Sequence, residues 1–345
     1  RGRLSDEAEK LVQLRKAQFI PIESANGFFR EVSEKVTALS EYSRPHPLSA
    51  EAAVASLKRY IVEERHRIRL HDLVVEETSR VCDSLNTIQR ESRDLDFAER
   101  LHHYESTTEI LEHLMAYGCF WGEEQHQHLW TRALERTANT ETRGSLRNVD
   151  VIGLYPALRL LYAGGIAAIA ADRYDSLRAI LFAPSIRGID YEKRPIDILY
   201  TREVAQLAMQ RRIPGKKNHT APLSEYLLET LREPLRGVLA DDQEYERCFD
   251  WYEYLFSLIF VDANFDEAAL AKEAQIFFPV GLFRWKHFGR GYLQEDALPK
   301  QVGREVKELG EEWGALQAGL FDGSLERYQQ VKKATDSALL EGRIY

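Results

Sequence analysis

The sequence predicts an all-α protein, an irregular α-helical solenoid or multi-helix bundle that divides into two lobes. Three observations lead there. Apolar residues recur at three- and four-residue spacing along most of the 345 residues, which is the period of an amphipathic helix. Alternation at period two is almost absent, and the best strand-like stretch is "IDILY" at 196–200. Hydrophobic residues make up 44% of the chain, enough to bury a large core without disulfide staples.

The elements follow in order. In "NGFFREVSEKVTALS", Phe28, Phe29, Val32, Val36 and Leu39 form one apolar stripe, so a helix is predicted there. Pro45 and Pro47 end it, because a prolyl ring lacks the N–H that a helix needs. Ser49 is placed to cap the next helix, predicted from Ala50 to about Glu64. Further helices are predicted in "IRLHDLVVEETSRVCDSL" and "DLDFAERLHHY". "STTEILEHLM" has Ser106 and Glu109 at capping-box spacing, which predicts a separate helix starting there and ending near Met115 to Tyr117. Breaks are expected at the polar stretch 137–150, at the Gly/Pro-punctuated loop 211–222 and at the aromatic-rich segment 277–292. The predicted organisation is an N-terminal lobe over 1–136, a linker over 137–150 and a C-terminal lobe over 151–345. The longest uncharged apolar run, Leu160–Ala171, falls short of the ~20 residues that cross a bilayer. No membrane partner is expected.

Two segments share a design. "YAGGIAAIAADRYDSLRAIL" places Gly165 nine residues before Tyr174, an aromatic in a short turn followed by a second helix. "LFSLIFVDANFDEAALAKEA" repeats this with Phe265 in the turn. A small residue lets two helices approach, and the turn aromatic fills the wedge where they diverge. These segments resemble the helix-turn-helix unit of tetratricopeptide repeats. The second carries Phe256 where that family has glycine, and the turn aromatics lie 91 residues apart, not a multiple of the family's period of about 34. The resemblance implies irregularly stacked helix pairs whose concave face docks a partner. "YPALRLLYAGGIAAIAADRYDSLRAIL" is also similar in texture to the helical regions attached to effector domains in bacterial defence proteins. Because the chain begins with Arg1 rather than Met, it is expected to be part of a longer protein, with any effector or catalytic domain ahead of it.

A net charge of −9 argues against a dedicated nucleic-acid binder, which needs a basic face, but leaves room for a local basic patch. Cys82, Cys119 and Cys248 are few and far apart, which fits a reducing cytoplasm and excludes a zinc ribbon. The N-terminal "RGRLSDEAEKLVQLRK" is charged throughout and is no secretory signal. No G-x-S-x-G, dinucleotide fingerprint or paired-carboxylate motif occurs, so no catalytic residues are assigned and no cofactor is expected.

Four stretches carry side chains with chemistry. "YGCFWGEEQHQHLW" (117–130) gathers Cys119, two glutamates, His126 and His128. Gly118 and Gly122 bracket a predicted turn, and His126 and His128 fall on different faces of the helix that follows. A chelating pair on a helix needs i, i+4 spacing, so no metal is assigned. "RRIPGKKNHT" offers Arg211, Arg212, Lys216 and Lys217 as an anion site around Gly215. It is no phosphate-binding P-loop, because Gln210 and Lys217 stand where that motif needs Gly and Ser or Thr. The alternative is a solvated interhelical loop. "GLFRWKHFGRGY" interleaves Phe283, Trp285, Phe288 and Tyr292 with Arg284, Lys286, His287 and Arg290, which suits stacking on a nucleobase or gripping a peptide. The alternative is a buried aromatic connector with basic tips in water. Asp296, Glu305 and Lys307 have the order of a metal-dependent nuclease, but Val306, Leu309, Trp313 and Leu316 predict a helical stripe that turns Glu305 and Lys307 apart.

The sequence therefore points to a recognition, regulatory or oligomerisation module of a larger cytoplasmic protein. Phe283, Arg284, Trp285, Lys286, His287, Arg290 and Tyr292 are its expected partner-binding residues. A protein partner or self-association is expected. The rivals are an RNA- or nucleotide-binding helical domain and a metal- or phosphate-dependent helical enzyme.

Overall fold

The Ser49 hydroxyl accepts the Ala52 amide at 3.3 Å and starts helix α1, Ala50–Tyr60, which buries Ala53, Val54 and Leu57. The computed structural model describes residues 49–91, 96–140, 151–187, 192–271, 276–288 and 297–341, all of which belong to one unit. The helix expected around Phe28–Leu39 and its proline break lie outside the described residues. A 3-10 turn, Glu64–His66, leads into α2, Arg67–Glu91.

Helix α3, Phe97–Trp121, opens on a reciprocal cap in which Asp96 accepts the Ala98 amide at 2.6 Å and Glu99 accepts the Asp96 amide at 3.1 Å. It runs unbroken to Trp121, which corrects the expected helix start at Ser106. Ser106 sits mid-helix and donates to the His103 carbonyl at 3.1 Å. Capping-box spacing recurs by chance inside helices, and Asp96 holds the end. Gly118 is likewise helical rather than a turn: a Cβ there would fall 2.2 Å from the Trp130 ring, so glycine admits the indole against the helix. The chain turns at Gly122, and α4 follows as Gln127–Thr140.

Helix α5, Tyr155–Ala170, has every residue from Tyr155 to Ile169 buried. It packs against α3 and α4, against α6 (Tyr174–Phe182) and against α8 (Asp242–Asn264). Its pairing with α3 crosses the stretch 137–150, the first three residues of which continue α4 to Thr140 with a fourth. Residues Ile152–Ala170 are long and apolar enough to cross a membrane, yet 94% of that window is buried within the protein. Gly165 belongs to this packing. A Cβ on it would meet the Tyr252 ring of α8 at 2.2 Å, while Gly164 faces Cys119, Met115 and Ile180.

The only strands among the described residues are Ile186–Arg187 and Glu192–Lys193, paired antiparallel. "IDILY" is no strand. Pro195–Ile198 forms a helical turn, opened by a proline whose fixed φ suits a first helical position and by Asp197 accepting the Arg194 amide at 3.2 Å. After α7, Pro222–Thr230, and α8 come α9, Leu298–Leu309, and α10, Leu325–Glu341, the last packed along α8. The stripe expected from Val306 through Leu316 is broken at Gly310, whose φ of 57° ends α9. Trp313 then reaches the core from outside the helix. The protein is all-α, as the periodicity predicts.

A buried ion pair ties this framework together. Arg159 of α5 is 3% exposed and pairs with Glu112 of α3 through two bonds of 2.6 and 2.7 Å. Its remaining nitrogen donates to Thr230 at 2.7 Å. Arg159→Met leaves the buried Glu112 carboxylate without its cation, and is expected to destabilise the fold by about 3–5 kcal/mol. The double variant Arg159→Met/Glu112→Leu should recover most of that loss, and urea denaturation of the three proteins reads the difference.

Candidate functional site

Helix α8 bears two acids one turn apart, Asp250 and Glu253, both buried at 4% exposure. Both face the segment 279–287, and they hold it. Lys286 reaches the two Asp250 oxygens at 3.2 Å each, and His287 Nε2 lies 3.0 Å from Asp250. One turn on, Ser257 donates to the Pro279 carbonyl at 2.7 Å. Gly281 passes so close to Glu253 that a Cβ would fall 2.0 Å from its carboxyl oxygen, so only glycine fits there. Phe283 and Phe288 are buried against Tyr254, at 5.7 and 5.9 Å between ring centroids. With those anchors in place, Arg284 and Trp285 are left facing outward.

They face a cleft of about 210 Å³ whose lining includes Thr201, Arg202, Thr220, Ser224, Arg284 and Trp285. Of the basic stretch 211–220 only Thr220 lines the cleft, beside Gln210 just ahead of it, and Arg211, Arg212, Lys216 and Lys217 are not in its lining. The Arg202 guanidinium lies over the Phe277 ring at 5.1 Å, and that of Arg284 over the Trp285 ring at 5.4 Å. No acid lines the cleft, and among the described residues neither guanidinium has a carboxylate partner. Partial burial without a counter-charge draws the Arg284 guanidinium below its ordinary value.

The basic loop divides its charges. Lys216 is turned inward and pairs with Glu229 of α7, and Arg212 lies over the Phe97 ring at 5.0 Å. This corrects the assignment of Lys216 as an open anion ligand, because a buried ammonium must meet a carboxylate, whereas Arg212 stays exposed. Arg211 and Lys217 are exposed at the rim of the loop. The Lys216 amide donates to Ile213 and the His219 amide to Lys216, so these amides close the loop on itself rather than cradle an anion. Arg290 and Tyr292 lie outside the described residues.

Beneath the cleft stands Glu253. It accepts from Ser224 Oγ at 2.6 Å and from the Tyr162 hydroxyl at 3.1 Å. No lysine, arginine or histidine pairs with it among the described residues. Burial pushes its carboxyl up to about 7. Hydrogen bonds from Ser224, Tyr162 and the Phe283 amide oppose that rise, and repulsion from Asp250 adds to it. Arg202, Ser224 and Glu253 had no place among the residues picked from the sequence. Only Glu253 left a trace there, as an acid within the aromatic run "CFDWYEYLFSLIF".

The other stretches are accounted for. His126 is buried at the start of α4, where Nδ1 accepts the Glu123 amide at 3.1 Å, while His128 is exposed. Burial pushes the Cys119 thiol up to about 12. Among the described residues no three His, Cys, Asp or Glu converge as a metal site. A larger recess, about 500 Å³ beside Trp121 and His126, is lined by charges of both signs, with Arg67 paired to Glu64 and Lys58 over the Tyr117 ring. Glu305 accepts the Trp313 indole N–H at 3.1 Å, while Lys307 is exposed and Asp296 lies outside the described residues. No family model, no curated protein and no solved structure matches this chain.

A carboxyl raised from 4.5 to about 7 binds its proton more tightly in the folded protein than in the unfolded one. It therefore lowers stability progressively as pH rises through that interval, and the full cost is present above it. Glu253→Gln is expected to be more stable than the natural protein at pH 8 by roughly 2–3 kcal/mol, with the gap shrinking as pH falls toward about 4.5. Urea denaturation of both proteins across that range checks the sign and the size.

Proposed function

We propose that this protein is a recognition module that binds a phosphate-bearing, ring-containing ligand of the nucleotide class in the cleft between Arg202 and Arg284. The observation that carries this reading is the pair of guanidiniums without acid partners among the described residues, each resting on an aromatic ring, that open on one recess. Arg284 is half-buried, and a partly desolvated guanidinium without a carboxylate is relieved by a phosphate, which its fork of donors matches, while Arg202 is exposed. The Trp285 ring is 45% exposed beside it and offers a face for a base. Thr201 and Thr220 supply hydroxyls that suit sugar or phosphate oxygens.

Size and charge narrow the ligand. At about 210 Å³ the cleft lies below the ~300–1,000 Å³ of sites that enclose a whole drug-sized molecule. It takes one end of the ligand, and the base lies across the exposed ring. The net charge of −9 opposes a long polyanion, so a free nucleotide is favoured over the terminus of an RNA strand. Docking in a groove between helices is the mechanism expected of a regulatory domain, and occupancy of the cleft would be felt by α8 through the bonds that hold 279–287.

Titration calorimetry at low salt with a nucleoside monophosphate, a triphosphate and a short single-stranded RNA separates the sources. Arg202→Ala and Arg284→Ala should each weaken nucleotide binding about tenfold or more, at roughly 1.5–3 kcal/mol per charge-assisted contact, and Trp285→Ala should weaken it less. No binding of any of the three ligands, or binding indifferent to both arginines, overturns the reading.

A further inference from the structure

The buried acid and the cleft share a hydroxyl. Ser224 lies in the cleft lining, donates to Glu253 at 2.6 Å and accepts the Leu282 amide at 2.9 Å. Leu282 immediately precedes the turn that carries Arg284 and Trp285. One side chain thus joins the carboxyl to the wall that presents both groups. The rest of the surroundings of Glu253 is neutral or already paired. Tyr162 faces it from α5, Tyr252 and Asp250 from its own helix, and Lys286 and His287 of the wall are engaged with Asp250.

We propose that Glu253 is a proton switch for the cleft: its protonated form leaves the wall fit to receive an anion, and its carboxylate form opposes one. This rests on the cleft being the ligand site. A carboxylate behind Ser224 repels an anion held at Arg284 across a medium that screens poorly, and it carries a full charge that only neutral hydroxyls and an amide stabilise. A proton removes both effects. Burial places the exchange near neutral pH, where cellular shifts move it. The coupling is reciprocal, so a bound anion takes up a proton on Glu253, and affinity falls as pH rises through about 7 by at most tenfold per pH unit.

The test uses the full chain labelled with 5-fluorotryptophan, with the Trp285 resonance assigned by Trp285→Phe. In ligand-free protein, that fluorine signal should titrate with a midpoint near 7, lose the transition in Glu253→Gln, and show a reduced one in Ser224→Ala, which cuts the shared hydroxyl. A flat signal in the natural protein, or a transition that survives in Glu253→Gln and so belongs to another group, overturns the switch. If Glu253→Gln does not fold, an unaltered transition in Ser224→Ala has the same consequence. The second arm is the affinity for a cyclic mononucleotide, whose phosphodiester keeps one charge throughout, and it should fall about tenfold between pH 6 and 8 in the natural protein and stay level in Glu253→Gln. Loss of nucleotide binding at every pH, with the fluorine transition intact and dependent on Glu253, removes the ligand class and leaves the switch standing. Nucleotide binding without any fluorine transition or pH dependence removes the switch and leaves the ligand class.

Discussion

Helix α5 has no face for water, and the arrangement around it follows from that constraint. With Tyr155 through Ile169 all buried, it must be enclosed on every side, and α3, α4, α6 and α8 do so. Close approach needs small residues, which Gly164 and Gly165 supply toward different neighbours. The same enclosure leaves Arg159 without access to solvent, so a carboxylate has to be brought to it. Glu112 meets it as a bidentate fork, and Thr230 takes the remaining nitrogen. A fork of two bonds tolerates little sliding, so α3, α5 and α7 are held in one axial register.

The cleft is a consequence further out. Tyr162 on α5 and Ser224 on α7 both donate to Glu253 on α8, so the three helices that the arginine network and α5 packing bring together converge again beneath the site. Nearby acids are engaged by lysine and histidine: Asp250 by Lys286 and His287, Glu229 by Lys216, Glu225 by His219. Among the described residues the guanidiniums of Arg202 and Arg284 rest on aromatic faces without a carboxylate partner. The proposed anion site thus draws on how nearby charges are matched rather than on an excess of basic residues.

Much of the helical content was legible because its signals are local. Ser49 caps α1 as its position before an apolar stripe predicts, and the corner at Gly122 falls where glycine and a new stripe place it. Local signals also misled. The spacing of Ser106 and Glu109 is that of a cap, but nothing in ten residues distinguishes a helix start from a helix interior when a stronger cap stands at Asp96. In the aromatic-basic segment, the residues that looked alike divide. Phe283 and Phe288 fill the core, Lys286 and His287 bind Asp250, and among the described residues Arg284 and Trp285 are the ones that reach the cleft. Arg202 and Ser224 belong to no motif and could be found only by seeing what they lie beside.

What the sequence determined by itself is the all-α class and several helix starts, Ala50 behind its Ser49 cap among them. These rest on period, caps and composition, which act over a few residues. Tertiary structure decided which charges are paired and which are open. Glu112 and Arg159 are 47 residues apart, Tyr162 and Glu253 are 91, and Ser224 and Leu282 are 58. A side chain's protonation and availability depend on its partner and its burial, and the sequence around it specifies neither.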